Sequence, residues 1–320
     1  MSEHTFIPHP WLTNPHAQTI YPALLRRRPR LALREQPLEL PDGDVLRLVW
    51  GPMTNGPLVI ILHGLGGQAS SSYVLGLMRT LYDEHGLGSV VMQYRGAGGW
   101  RNRLDRFYHA ADVDDLDQTV RAIRRWFPER PLALAGYSLG ANIVLNWLGD
   151  MGAQAPIQVA AVASPPFDLH ACAEHIDKGF ARIYQWDLLR NLKRMVRRKF
   201  GTHPAPPTDL RLLRQIRTLY QFDDLLTAPL HGFGTAAAYY RQASCGQRLS
   251  GIERPTLIVH AEDDPFIPAT SIPEPAKLRS AVALELSPRG GHVGFVAPAK
   301  AGGLRWLERR MARFIALAQH

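Results

Sequence analysis

Short, unbroken apolar runs separated by helix-length stretches recur along this chain and limit what it can fold into. Pro57-Leu58-Val59-Ile60-Ile61-Leu62, Gly88-Ser89-Val90-Val91-Met92, Pro131-Leu132-Ala133-Leu134-Ala135 and Pro255-Thr256-Leu257-Ile258-Val259-His260-Ala261 show no polar alternation. A strand that is apolar on both faces is buried on both, which requires a mainly parallel sheet with helices on each side. The pattern predicts strands near 38–40 and 45–50, split by the turn Pro41-Asp42-Gly43-Asp44. Strand 57–62, helix about 70–84, strand 88–93 and helix about 112–126 follow, then strand 131–136, helix 139–148 and strand 157–163. The alternation then breaks. From Pro165 to about Gly251 the chain reads as helical and strongly basic, with no good strand, until the sheet resumes at Pro255. A further strand covers Ala281 to Leu286, and a last helix runs from about Pro298 to Ala318, where a proline suits the first turn. An α/β core over 35–164 and 252–320 is expected, with an N-terminal arm (1–34) packed on it. A helical cap insertion occupies 165–251. A length of 320 residues and 46% hydrophobic content suit that division, and there are no internal repeats.

Within this frame, Gly136-Tyr137-Ser138-Leu139-Gly140 matches G-x-S-x-G, and its flanks give the pattern meaning. An apolar strand precedes it, and a helix with few breakers, Ala141 to Leu148, follows. A strand that turns sharply into a helix lifts the central side chain above the sheet, and a Cβ at either glycine would clash in so tight a turn. Ser138 would then stand exposed with the following backbone N–H groups aimed at the same point, a nucleophile beside half an oxyanion hole. A Gly-rich turn with a capping serine is the plain structural alternative.

A serine hydroxyl needs a base to take its proton, and the base needs an acid to orient it. In sheets of this kind the chain order is serine, acid, histidine. The strand ending at Ala261 runs straight into Glu262-Asp263-Asp264-Pro265-Phe266-Ile267-Pro268, a stiff loop held by two prolines. Spacing to Pro268 favours Asp264 as the acid, with Asp263 as its rival; Glu262 belongs to the strand end and is structural. The next strand ends in Ser287-Pro288-Arg289-Gly290-Gly291-His292, where the glycines free the loop to bring His292 over the sheet.

The other half of the oxyanion hole should follow an earlier strand. His63-Gly64-Leu65-Gly66-Gly67 does so, and places the Leu65 N–H toward the serine, opposite that of Leu139. Gly64-x-Gly66-x-x-Ala69 also fits a dinucleotide fingerprint, which requires an acid at the end of the next strand. That strand ends in Gln93-Tyr94-Arg95-Gly96 with no carboxylate, so the nucleotide reading fails.

These residues resemble the α/β-hydrolase superfamily, and more narrowly its YheT-like branch, the fourth AB-hydrolase family. The resemblance spans nearly the whole chain. It rests on Phe6-Ile7-Pro8, Trp11-Leu12-Thr13-Asn14-Pro15-His16, Gln18-Thr19-Ile20 and the His63–Gly67 loop. Tyr94-Arg95-Gly96-Ala97-Gly98-Gly99, Tyr108-His109 with Asp112, Gly136–Asn142, Asp263-Asp264-Pro265-Phe266 and Gly290–Phe295 complete it. The chain departs at Ala141, where many relatives have glycine, and at Gln93-Tyr94, where asparagine is common before the Arg-Gly pair. The resemblance implies acyl chemistry, since members are ester hydrolases or, in some cases, acyltransferases. It says little about the acyl group.

Charge and cysteine usage bound the rest. The 37 basic residues against 28 acidic ones give +9, concentrated in Arg26-Arg27-Arg28-Pro29-Arg30 and in a basic amphipathic helix over 188–200. In that helix Leu188, Leu189, Leu192, Met195 and Val196 recur at helical spacing. The plain reading is a solvated face packed by its apolar side; the alternative is weak docking to an anionic membrane surface through Arg194, Arg197 and Arg198. Nucleic acid is not expected, because no aromatics interleave the basic residues. Cys172 and Cys245 are the only cysteines and lie in no metal-ligand pattern, which predicts free thiols, a reducing cytoplasmic setting and no metal or other cofactor. No apolar run approaches a membrane span, and no signal-peptide pattern opens the chain. The sequence therefore predicts a serine hydrolase acting on small-molecule carboxylic esters, with an apolar acyl chain, through Ser138, His292 and Asp264. Acyl transfer with the same residues is the first alternative, and a non-catalytic ligand-binding fold the second. Oligomeric state is not legible.

Overall fold

The structure is a computed structural model and describes residues 6–318; residues 1–5 of the expected arm and 319–320 lie outside them. Its strands are β1 (Arg34–Glu39), β2 (Val45–Trp50), β3 (Leu58–Leu62), β4 (Gly88–Gln93), β5 (Leu132–Tyr137), β6 (Val159–Ala163), β7 (Thr256–Ala261) and β8 (Val282–Ser287). They form one sheet in the order β1-β2-β4-β3-β5-β6-β7-β8. β2 pairs antiparallel with β1 and β4, and the remaining pairs are parallel. Parallel register brings the ends of six strands, β3 to β8, to one edge. Leu62 lies beside Gly136, Tyr137 beside Ala163, and Ala261 beside Ser287.

The apolar runs explain the layers. In β3, Leu58, Ile60 and Leu62 face one core and Val59 and Ile61 the other, as period-two geometry dictates. α3 (Val113–Trp126) and α4 (Leu139–Met151) cover the first face, while α2 (Ser72–His85) and α10 (Trp306–Leu317) cover the second. Ahead of the sheet, α1 (Pro15–Leu25) starts where the Asn14 side chain accepts the N–H groups of His16 and Ala17, with Pro15 in the first turn.

Between β6 and β7 the described residues hold only helices and turns. α5 (Leu169–Ile176) and the long α6 (Arg182–Phe200) come first. α7 (Leu219–Phe222) then continues through a π-turn (Asp223–Thr227) into α8 (Ala228–Leu230), followed by α9 (Ala236–Ala243). This segment has a small core of its own. Leu189, Leu192, Val196 and Phe200 of α6 pack on Leu213, Ile216, Phe222 and Leu226.

Three local expectations need correction. The last helix begins at Trp306, not near Pro298: two short 3-10 turns fill 299–305, and Gly302 (φ 113°) and Gly303 (φ 59°) sit in backbone conformations that a helix excludes. Glu262 lies one residue past the end of β7 and is exposed. The basic helix starts at Arg182 rather than Leu188, nearly two turns earlier.

Candidate active site

β5 runs into α4 through Ser138, which holds φ 52° and ψ −118°. The two flanking glycines are required by close approach. A Cβ on Gly136 would meet the Gly140 carbonyl at 2.7 Å, and one on Gly140 would meet the Leu62 carbonyl oxygen at 2.5 Å. The turn is pinned by Ser138 N–H donating to the Ala163 carbonyl (2.9 Å) and Asn142 N–H to the Ser138 carbonyl (3.0 Å). Strain of this kind costs roughly 1–3 kcal/mol and persists where the surroundings over-determine it.

His292 reaches the serine from the loop after β8. Its Nε2 lies 3.0 Å from Ser138 Oγ and its Nδ1 2.8 Å from Asp264 Oδ2. The second Asp264 oxygen accepts the N–H groups of Phe266 (2.8 Å) and Ile267 (3.2 Å), so the buried carboxylate has a partner for each oxygen. Phe266 stacks on the His292 ring at 4.1 Å between centroids. Asp263 faces elsewhere. It accepts the Gly291 N–H (2.9 Å), and burial pushes its carboxyl above the usual range. Of the three acids read from the sequence, the structure brings only Asp264 to the imidazole.

Three aromatic hydroxyls brace the loop after β3. Tyr73 Oη accepts the Gly64 N–H (3.0 Å), Tyr108 Oη accepts the Gly66 N–H (2.9 Å), and Tyr94 Oη donates to the His63 carbonyl (2.9 Å). Gln93 fixes His63. Its Oε1 accepts the Ala69 N–H (2.8 Å), which leaves its amide to donate to His63 Nε2 (3.0 Å), and His63 Nδ1–H then donates to the Gly64 carbonyl (2.9 Å). Burial pushes the His63 imidazole down to about 4, in keeping with this neutral form. Leu65 and Leu139 both border Ser138, and neither backbone N–H donates to a hydrogen bond among the described residues. Both residues thus bring an unpartnered N–H to the wall of the cavity that Ser138 also lines.

The departure at Gln93-Tyr94 thus has a local role. So does Arg95, whose buried guanidinium meets Asp42 (2.6 Å), Asp44 (2.9 Å) and Asp115 (2.6 Å). Burial alone would lower its pKa, but the three carboxylates outweigh that and hold it above its usual value. The Asp42-Gly43-Asp44 turn read as a strand break is therefore also an anchor for the 95–108 segment.

A cavity of about 490 Å³ opens beside Ser138 and His292. The α/β core supplies Leu65, Leu139 and Ile267, and the 165–251 segment supplies Leu169, Ile176, Leu188, Leu192, Leu219 and Phe222. Its wall is mainly apolar. Burial pushes the Cys172 thiol, which also lines it, well above its ordinary value. Among the described residues, no group of three His, Cys, Asp or Glu side chains is arranged to hold a metal ion.

Periodicity did not point to the groups that hold the His292 loop. Thr19 Oγ1 in α1 accepts the His292 N–H (2.9 Å), and Gln18 accepts the Val296 N–H (2.6 Å) while donating to the Val296 carbonyl (3.1 Å). Arg26 donates to the Gly294 carbonyl (3.2 Å) and pairs with buried Glu308 of α10 (3.0 Å). Ser164, itself at φ 51°, accepts the Val293 N–H (3.1 Å). Gln18-Thr19 lies in a segment singled out by the family resemblance, which was the only signal for it; nothing in the sequence marked Ser164.

Comparison with known proteins agrees with this architecture. The sequence profile described as "alpha/beta hydrolase fold" matches residues 57–297. YheT of Escherichia coli (strain K12) is 40% identical over 311 residues, covering 96% of this chain and 91% of that protein. Monoacylglycerol lipase of Saccharomyces cerevisiae is 34% identical over 265 residues, 81% of this chain and 59% of the yeast protein. Phospholipase ABHD3 of Mus musculus is 29% identical over 99% of this chain and 79% of its own length. Among solved structures, the Pyrococcus furiosus esterase Pf2001 superposes with a TM-score of 0.60 over 98% of both chains at 13% identity, a likeness of fold.

Proposed function

Because this chain belongs to the α/β-hydrolase family, in its YheT-like branch, we propose that it is a carboxylic ester hydrolase working through an acyl-enzyme on Ser138. One observation carries the reading: His292 bridges Ser138 Oγ and Asp264 Oδ2 at 3.0 Å and 2.8 Å. Relatives that bear the names lipase and phospholipase support ester bonds as the substrate class.

In this reading His292 Nε2 takes the Ser138 proton as Oγ attacks the ester carbonyl, and Asp264 holds Nδ1–H and stabilises the imidazolium that forms. The free N–H groups of Leu65 and Leu139 receive the oxyanion, where charge develops in the transition state. His292 then protonates the leaving alcohol. Water enters, His292 removes its proton, and attack on the acyl-enzyme releases the acid and restores Ser138. The apolar cavity wall supports a substrate with an apolar acyl chain. An alcohol in place of water gives acyl transfer with the same residues, and product analysis with added alcohol separates the two.

The test is labelling with a fluorophosphonate probe together with hydrolysis of an activated ester. Wild type should label and turn over, and folded Ser138→Ala should do neither. Wild-type protein that binds an ester without turning it over would establish a ligand-binding fold instead.

A further inference from the structure

The exposed side of α6 is divided unlike its other two faces. Leu189, Leu192 and Val196 enter the small helical core, while Leu188 and Asn191 border the cavity. The remaining face presents Ile183 (54% exposed) and Trp186 (61%) to solvent, followed along the helix by Arg190, Arg194 and Arg197. Phe180, just before the helix, is exposed as well. α1 repeats the arrangement. Gln18 and Pro22 are buried, Thr19 and Ala23 border the cavity, and Tyr21, Leu24 (77%) and Leu25 point outward ahead of Arg27 and Arg28. The two helices meet at His16, whose ring lies 4.4 Å from that of Phe180 and whose Nδ1 is 3.1 Å from Tyr184 Oη. Both walls of the cavity therefore carry apolar side chains on their outer faces.

Charge sits beside these side chains. Arg182, Arg190, Lys193, Arg197 and Arg217 line one groove next to Trp186. Asp177 and Asp187 offset Arg182 and Arg190, but Lys193, Arg197 and Arg217 have no carboxylate partner among the described residues. Burial first, and then the nearby Arg217 and Arg197, hold the Lys193 ammonium below its ordinary value. Apolar anchors beside unpaired cations complement a surface that is anionic outside and hydrocarbon within.

We propose that this face docks on an anionic phospholipid surface. Ile183, Trp186, Leu24 and Leu25 enter the acyl boundary, and the groove cations take the lipid phosphates. The cavity bordered by α1 and α6 is thereby held at the lipid, where an ester with a long apolar chain resides. Docking itself does not depend on the catalytic reading, because binding to vesicles needs no turnover.

The experiment is co-flotation of the full chain with phosphatidylcholine vesicles, with and without phosphatidylglycerol, at low and high salt. Wild type should float with the anionic vesicles at low salt, and much less with neutral ones or at high salt. Arg197→Glu/Arg217→Glu and, separately, Ile183→Ser/Trp186→Ser should each weaken that binding by at least about tenfold. Hydrolysis of a short soluble ester without vesicles should stay within about twofold of wild type, because none of the four residues borders the cavity. Wild type that ignores anionic vesicles at low salt overturns the proposal. So does equal binding to neutral and anionic vesicles, or undiminished binding by the charge-reversed variant. Binding to heparin or inorganic phosphate without vesicle flotation would assign the groove to another anion and overturn it too.

Discussion

Ser138 occupies a backbone conformation that few side chains tolerate, and its neighbours leave it no other. With Oγ 3.0 Å from His292, Ser138→Ala and His292→Ala should each lose at least about a thousandfold in kcat on an activated ester. The double variant should be no worse, because the pair acts as a unit. Retention of more than about a tenth of the activity by a folded single variant would sink the assignment. The acids separate cleanly. Asp264→Asn should lower kcat by roughly ten-thousandfold, since the amide oxygen stays with the Phe266 and Ile267 N–H groups and the NH2 donates to Nδ1, which fixes the wrong tautomer. In Asp263→Asn the amide oxygen still accepts the Gly291 N–H, so kcat should stay within about tenfold. A different residue beneath the site sets a pH response. His260 is fully buried with neither ring nitrogen partnered among the described residues, and burial pushes it down to about 4. Its neutral form is favoured only in the folded state. Its contribution is thus intact above the unfolded value of 6.5 and is lost as pH falls toward about 4. Through that window His260→Leu should gain on wild type by up to about 1.4 kcal/mol per pH unit, read as the difference in melting temperature at neutral and acid pH. Parallel acid curves for the two proteins would refute it.

At the scale of elements, the loop carrying His292 is held from outside itself. Val293 and Phe295 both sit at positive φ, so the loop needs external partners: α1 supplies Thr19 and Gln18, and its C-cap residue is Arg26. Thr19→Val keeps the side-chain shape and removes the acceptor for the His292 N–H. It should lower kcat by about tenfold with KM little changed, and Thr19→Ser should restore it. An equal loss in Thr19→Ser would mean that the methyl group, not the hydroxyl, matters. α1 is also where the sequence was least explicit: it marked an arm, whereas the helix depends on Asn14 capping and on packing against 290–296. α10 shows the reverse error. A proline suited to a first turn placed its start at Pro298, but Gly302 and Gly303 hold positive-φ backbone that a helix excludes.

For the whole molecule, the 165–251 helices close an apolar cavity over groups contributed by the sheet edge. Rates on a homologous series of esters should therefore climb with acyl length, by up to about fourfold in kcat/KM per added methylene, until the cavity is full. Leu188→Trp, which narrows the cavity, should shorten the preferred chain and spare acetate esters. A flat profile in wild type would show that the acyl group lies elsewhere.

By itself the sequence determined the layered α/β frame, because runs such as Leu58–Leu62 must be buried on both faces. It also determined the sharp turn at Ser138, because no residue with a Cβ fits at 136 or 140. Those are local demands, met within a few residues. Spacing to Pro268 favoured Asp264 over Asp263, but the direction of two adjacent carboxylates was beyond it: the backbone after β7 aims one at the imidazole and the other at Gly291. Tertiary structure alone brought Thr19 to His292, 273 residues away, and Ser164 to Val293, 129 away. It also carried the basic helix back to Arg182 and turned Ile183 and Trp186, which lie before the 188–200 stretch read from the sequence, toward solvent. Such contacts depend on which surfaces meet once the chain has closed, and periodicity along a single element carries no record of its partner.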